Sequence, residues 1–205
     1  MRLGIFGGTF DPVHYGHLLL AECCREQCRL DQVWFMPADI PPHKQERSLT
    51  SARQRIEMLE LAIGGHPAFS VSRLELDRGG VSYTVDTLAQ IHALDPGREL
   101  YLLLGADSLL DLPQWKEPGR ICELATLAVV GRTGQGIGDF NAIAADAGWG
   151  QTSNLRVQSV EMPLVELSSS DLRHRAASGA SLRYRTPRAV EKYIESAGLY
   201  QLASR

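Results

Sequence analysis

The sequence predicts an α/β fold: a doubly wound, Rossmann-like parallel sheet with helices on both faces and a small C-terminal helical portion. Three observations carry this. Short apolar runs alternate with stretches of helical spacing along most of the chain. Some runs, residues 100–104 above all, are apolar without alternation, as strands covered on both faces require. The first run also ends in Gly7-Gly8 and leads straight into a helix, the strand–turn–helix setting of such sheets.

Taken in order, residues 3–6 read as a buried strand, 17–29 as a helix and 32–36 as a second strand halted by Pro37. Residues 37–50 carry Pro37, Pro41 and Pro42 and read as a loop, with Thr50 or Ser51 capping the helix that follows. Residues 69–76 alternate as a strand does, Gly79-Gly80 breaks the chain, and 84–94 resumes a helix. Residues 100–104 and 125–130 are further strands, with a short helix at 108–112 between them. The glycine-rich stretch 131–154 reads as loop, helix, loop; 155–161 is a last strand, and helices follow near 168–178 and 187–197. No linker divides the chain, so residues 1–205 are expected to form one domain, with its helical portion from about 168 onward.

Composition sets the outer limits. The 205 residues are 44% hydrophobic and 22% charged, ordinary for a globular protein, and the net charge of −3 makes no case for nucleic acid or membrane as partner. No stretch approaches the roughly 18 apolar residues of a membrane span. Cys23, Cys24, Cys28 and Cys122 include no C-x-x-C pair, which predicts idle thiols in a reducing cytoplasm. The C-terminal Arg173, Arg175, Arg183, Arg185, Arg188 and Lys192 read mostly as a solvated face with a phosphate-facing subset. Association into a homo-oligomer is left open.

The chemistry starts at Gly7-Gly-Thr-Phe-Asp-Pro-Val-His-Tyr-Gly-His17. Gly7 and Gly8 let a ligand approach the backbone, and the helix that follows aims its N-terminal N–H groups at the same place. His14 and His17 are three apart, so both can serve one phosphoryl group as donors. Alone, such a pair is as well explained by polar packing or a metal. The double glycine and preceding strand favour phosphate, and no Cys, Asp or Glu supports a metal on that helix. G-x-G-x-x-G is absent, which weakens a dinucleotide-binding reading.

Four later segments also fall at strand ends or helix starts. Lys44, in Pro41-Pro42-His43-Lys44, is a point charge on a proline-stiffened loop, or a solvated lysine. Tyr83 and Thr84 precede a helix, with Thr84 as a candidate N-cap and Asp86 in the first turn. Gly105-Ala-Asp107-Ser is followed by Leu-Pro-Gln-Trp115-Lys116; Asp107 is either a ribose acceptor or a cap, and Trp115 either core or a stacking surface. Ser168-Ser169-Ser170-Asp-Leu-Arg173 is either an N-cap with an exposed arginine or an anion site.

The segment Gly7–His17 resembles the signature of H-x-G-H nucleotidylyltransferases, and with the later motifs the chain is most similar to the bacterial nicotinate-nucleotide adenylyltransferases. Matched motifs span about residues 3–200 with a gap at 132–154, where the adenine pocket falls. The tail Thr186-Pro-Arg through Gly198-Leu-Tyr200 is similar as well. The resemblance implies catalysis by His14, His17, Lys44 and Arg173. It implies ATP binding by Gly7, Gly8, Thr9, Phe10, His14, His17, Gly105, Asp107, Ser168, Ser169, Ser170 and Arg173. It implies mononucleotide binding by Thr9, Lys44, Tyr83, Thr84, Asp107, Trp115 and Lys116. At Lys116, where the family often has an aromatic residue, only the backbone N–H carries over.

The expected reaction is adenylyl transfer from ATP to nicotinate mononucleotide, giving deamido-NAD and pyrophosphate, with Mg2+ carried by ATP rather than by a protein metal site. An acceptor phosphate with a second pKa of about 6 needs no general base. The alternatives are nicotinamide mononucleotide or another phosphate acceptor, and a nucleotide-binding regulator without catalysis.

Overall fold

A computed structural model of the chain describes residues 1–42, 49–132 and 155–201. Six parallel strands form one sheet: β1 (Arg2–Gly8), β2 (Gln32–Pro37), β3 (Phe69–Val71), β4 (Glu99–Gly105), β5 (Ala125–Arg132) and β6 (Val157–Met162). Their order is β3-β2-β1-β4-β5-β6. Chain direction across the sheet therefore reverses between β1 and β4, and a crevice opens there beyond the strand ends.

The helices are α1 (Tyr15–Gln27), α2 (Ala52–Ile63), α3 (Leu74–Arg78), α4 (Thr84–Leu94), α5 (Ala106–Asp111), α6 (Pro118–Leu124), α7 (Ser169–Ala177) and α8 (Arg188–Ser196), with a 3-10 turn at Leu112–Gln114. Alternation along the strands divides the core in two. Phe6, Val33, Phe35, Tyr101, Leu103, Ala128 and Val130 face one way, packed with Ala21 and Cys24 of α1, Met58 and Leu59 of α2, Leu172 of α7 and Ile194 of α8. Leu3, Ile5, Leu100, Leu102, Leu104, Leu127 and Val129 face the other, packed with Val85, Leu88 and Ile91 of α4, Leu109 of α5 and Ile121 of α6. Both faces are buried, which is why these strands are apolar without interruption.

Three expectations need correction. The strand expected at 69–76 ends at Val71, and Leu74–Arg78 is a helix. Its pattern alternates, but the residue it buries most is Glu75, at 6% exposure. The N-cap of α4 is Tyr83, not Thr84, and the N-cap of α5 is Gly105, so Asp107 lies within the first turn rather than capping it. Helix α6 carries no expectation from sequence; Pro118 at its first turn starts it, and it buries Ile121 and Cys122. Ser51 does cap α2, its Oγ accepting from the Gln54 N–H.

Candidate active site

The loop from Thr9 to His14 leaves β1 at the crevice and enters α1. Its carbonyls are taken up one after another by distant groups. Buried Arg55 of α2 donates from Nη1 to the Thr9 carbonyl (3.1 Å) and the Ala38 carbonyl (2.8 Å), and from Nε to that of Thr50 (3.0 Å). Arg173 Nη1 donates to the Asp11 carbonyl at 2.5 Å, Ser169 Oγ to that of Pro12 at 2.8 Å, and Thr186 Oγ1 to that of Val13 at 2.8 Å. The carbonyls of Thr9, Asp11, Pro12 and Val13 are thus all committed to groups of the protein itself.

The Asp11 side chain, 2% exposed, ties the same loop down. It accepts from the Tyr200 hydroxyl at 2.6 Å and from the Thr50 N–H at 3.3 Å. Burial and this carboxylate push the Tyr200 phenol well above its usual range, so it stays a donor. Phe10 has φ 49° and a ring 1% exposed, packed edge-on to Phe6 and His17 at centroid distances of 5.4 and 5.1 Å. Only its main chain faces the crevice. A Cβ at Gly8 would sit 3.0 Å from the Phe10 ring, whereas one at Gly7 would meet nothing within 4 Å. A side chain at Gly8 would press on the Phe10 ring, whereas the protein's own packing leaves room for one at Gly7.

His14 and His17 stack with ring centroids 3.7 Å apart and 21° between planes. His14 is the N-cap of α1, and its N–H donates to His17 Nδ1 at 3.2 Å. That bond makes Nδ1 an acceptor, so the neutral ring of His17 carries its proton on Nε2. His14 is 6% exposed, and burial lowers its pKa from 6.5 to about 4, which keeps it neutral at physiological pH. Its Nδ1 is buried without a hydrogen-bond partner among the described residues. A Cβ at Gly16 would lie 3.0 Å from that Nδ1, so the glycine between the histidines is what lets His14 fold back over the helix start.

Helix α7 abuts this loop. The Ser168 hydroxyl accepts from the Asp171 N–H at 3.1 Å as N-cap, Ser169 reaches Pro12 as above, and Ser170 Oγ accepts from Arg173 Nη2 at 2.9 Å. All three hydroxyls thus brace the helix start and its arginine against the clamp. The capping reading of the motif holds at Ser168, and Arg173 is turned to the loop rather than left exposed as a simple cap would leave it.

On the other side of the crevice is a cavity of about 330 Å³, lined by Gly7–Thr9, Ser82–Thr84, Gly105, Trp115 and Lys116, with Leu102 and Ile121 behind them. The Asp86 and Thr87 N–H groups donate to the Tyr83 carbonyl at 3.1 and 3.2 Å, whereas those of Thr84 and Val85, at the start of α4, have no carbonyl of their own helix to donate to. Trp115 is partly buried against the core and also lines the cavity. Glu75 also lines it; it accepts from Thr87 Oγ1 at 2.7 Å and from the Ser82 hydroxyl, and burial raises its pKa. Ser82 Oγ in turn accepts from the Asp39 N–H at 2.9 Å, which links this wall to the loop that leads toward Lys44.

A second cavity, about 490 Å³, lies at the ends of β4, β5 and β6 and is lined by Gly105, Asp107, Gly131, Leu164 and Ser168. Gly105 lines both cavities, so they flank the end of β4. Lys44 and the segment 133–154 lie outside the described residues.

Two further features bear on chemistry. All four cysteines are free and buried, and burial pushes Cys28 and Cys122 up to about 11, far from nucleophilic use. Among the described residues no group of three or more His, Cys, Asp or Glu is placed to hold a metal, and no helix is long and apolar enough to cross a membrane. Asp11, Arg55, Glu75, Thr186 and Tyr200 were not foreseen in the site. The partners that bring Asp11, Arg55, Thr186 and Tyr200 to the loop are distant in sequence, and Glu75 is brought in by the helix that replaces the expected strand, so local spacing holds no signal for them.

The cytidylyltransferase-like family model matches residues 5–175. The chain is 46% identical to a protein of Thermomicrobium roseum named "Probable nicotinate-nucleotide adenylyltransferase", over 98% of this chain and 92% of the relative. A protein of the same name from Thermus thermophilus is 45% identical over 98% of this chain and all of its own (100%). Among solved structures, the Plasmodium falciparum nicotinic acid mononucleotide adenylyltransferase complexed with NaAD superposes with a TM-score of 0.77, covering 97% of each chain at 19% identity. That likeness shows the fold, and the sequence relatives show the lineage: the chain belongs to the cytidylyltransferase-like family and, within it, to the nicotinate-nucleotide adenylyltransferases.

Proposed function

We propose that the enzyme transfers the adenylyl group of ATP to nicotinate mononucleotide, releasing pyrophosphate and forming deamido-NAD. The observation that carries this is that two cavities flank the end of β4 and share Gly105, one lined by Ser168 at the α7 start and the other by Gly7–Thr9, Thr84 and Trp115. An oxygen of the acceptor's 5′-phosphate attacks the α-phosphorus of ATP in line. A new P–O bond forms as the bond to the β-phosphate oxygen breaks, and the electron pair leaves on pyrophosphate.

His17 Nε2–H donates to the transferring phosphoryl group, and His14, held neutral, backs it. Arg173, Lys44 and the amides at the α7 start meet the β- and γ-phosphates, and Asp107 faces ribose hydroxyls. Trp115 stacks on the pyridine ring, and the amides near Thr84 and Lys116 meet its substituent. Catalysis is then positioning and charge neutralisation, without a general base. Mg2+ brought with the triphosphate would keep most of its waters and would supply charge neutralisation on the phosphates. The chain acts as one catalytic unit, and its buried thiols fit a reducing cytoplasm.

The test is pyrophosphate release from ATP with each of the two mononucleotides. The reading expects turnover with the acid form well above that with the amide. Turnover favouring the amide would replace the acceptor, and ATP binding without turnover on either would leave a non-catalytic regulator.

A further inference from the structure

Among the described residues that line the acceptor cavity, Lys116 is the one cationic side chain. It is held from two sides. Its Nζ lies 3.0 Å from each carboxylate oxygen of Asp86, in the first turn of α4, and 4.8 Å over the centroid of the Tyr83 ring. The ammonium therefore joins the Trp115–Lys116 segment to the start of α4, whose first residue, Thr84, lines the same cavity. The pair is open to solvent, with side-chain exposures of 40% and 41%, so it is weak and exchangeable. The single carboxylate among the described lining residues, Glu75, is already met by the hydroxyls of Thr87 and Ser82. Its charge is spoken for, and the Lys116 charge is shared only with a half-exposed partner.

We propose that Lys116 is a specificity-determining residue: its ammonium, shared between Asp86 and the mouth of the cavity, favours an acceptor whose ring bears a carboxylate over the same acceptor bearing an amide. The inference rests on the acceptor reading above. A ring stacked on Trp115 brings its substituent toward the Thr84 end of the cavity. A negative charge there attracts the ammonium, and a neutral amide of the same shape gains much less. Main-chain donors alone favour the acid less strongly, because an amide oxygen also accepts from them.

Two substitutions separate charge selection from a latch between the walls, because both break the same ion pair. The readout is the ratio of kcat/KM for the acid mononucleotide to that for the amide. Lys116→Met is expected to lower this ratio about three- to tenfold, and Asp86→Asn, which leaves the ammonium uncompensated, to raise it by a similar factor. Lys116→Arg should hold it near the wild-type value, and high salt should shrink the wild-type preference. A shift in the same direction for Lys116→Met and Asp86→Asn would mean a latch and overturn the proposal, as would an unchanged ratio in both. Wild-type enzyme inactive on both mononucleotides would instead overturn the acceptor reading, and this inference with it.

Discussion

The clamp loop and the acceptor cavity face each other across one crevice, yet they are held in different ways. The clamp is tied through its main chain, carbonyl by carbonyl, to Arg55, Ser169, Arg173 and Thr186, with Asp11 buried beneath it. The acceptor cavity is tied through side chains: Glu75 to Thr87 and Ser82 within it, and the half-exposed Lys116–Asp86 pair at its rim. On the proposed function, a main-chain scaffold of this kind sets the position of phosphate with little regard to side-chain identity. Side-chain walls can be altered one residue at a time, so recognition of the acceptor is the adjustable half of the site.

The sharpest way to break this contrast is at the clamp's proton donor. His17→Ala is expected to lower kcat about a hundred- to a thousandfold, the usual loss for one preorganised donor to a charged transition state. The His14 N–H loses its acceptor, so unfolding free energy should fall by about 1 kcal/mol with the fold retained. Stopped-flow turnover and denaturant unfolding check the two halves; a loss below about tenfold would remove His17 from the chemistry.

Next in size is the pH dependence of stability from His14. Its folded pKa, about 4, lies below the ordinary 6.5, so the folded state prefers the neutral ring. The associated stability is complete above about pH 6.5 and is lost as pH falls toward 4, about 3 kcal/mol in all. His14→Gln should flatten that slope in unfolding curves taken across the window. An unchanged slope would place the burial effect elsewhere.

On the acceptor side the effects should be smaller and confined to one substrate. Trp115→Ala is expected to raise KM for the mononucleotide about tenfold while KM for ATP stays within about twofold, measured by varying each substrate in turn. An equal rise for both would mean that the ring braces the whole crevice. Smallest is Tyr200→Phe, which removes one buried hydrogen bond to Asp11 and should cost about 1–2 kcal/mol of stability, read by denaturant unfolding.

The same contrast explains what was legible in the sequence. The strands, most helices and the ligand-facing motifs all sit on local patterns: apolar runs, glycine turns, and a histidine pair three residues apart. Where local pattern and tertiary environment disagree, pattern misleads. Residues 74–78 alternate like a strand, yet they fold as a helix that buries the carboxylate of Glu75 against hydroxyls supplied from 82 and 87. Asp107 looks like a cap, but Gly105 already turns the chain into α5. The braces of the clamp were illegible for a further reason: Arg55 is 46 residues from its carbonyl partner at Thr9, and Tyr200 is 189 from Asp11.

That last separation matters for a chain that emerges from the ribosome N-terminus first. The motif from Gly7 to His17 is made well before the partners that shape it, which are spread to residue 200. A growing chain carries the signature long before it carries the geometry. Nucleotide should therefore find no formed clamp on nascent or C-terminally shortened chains, and activity arrives only with the last helix.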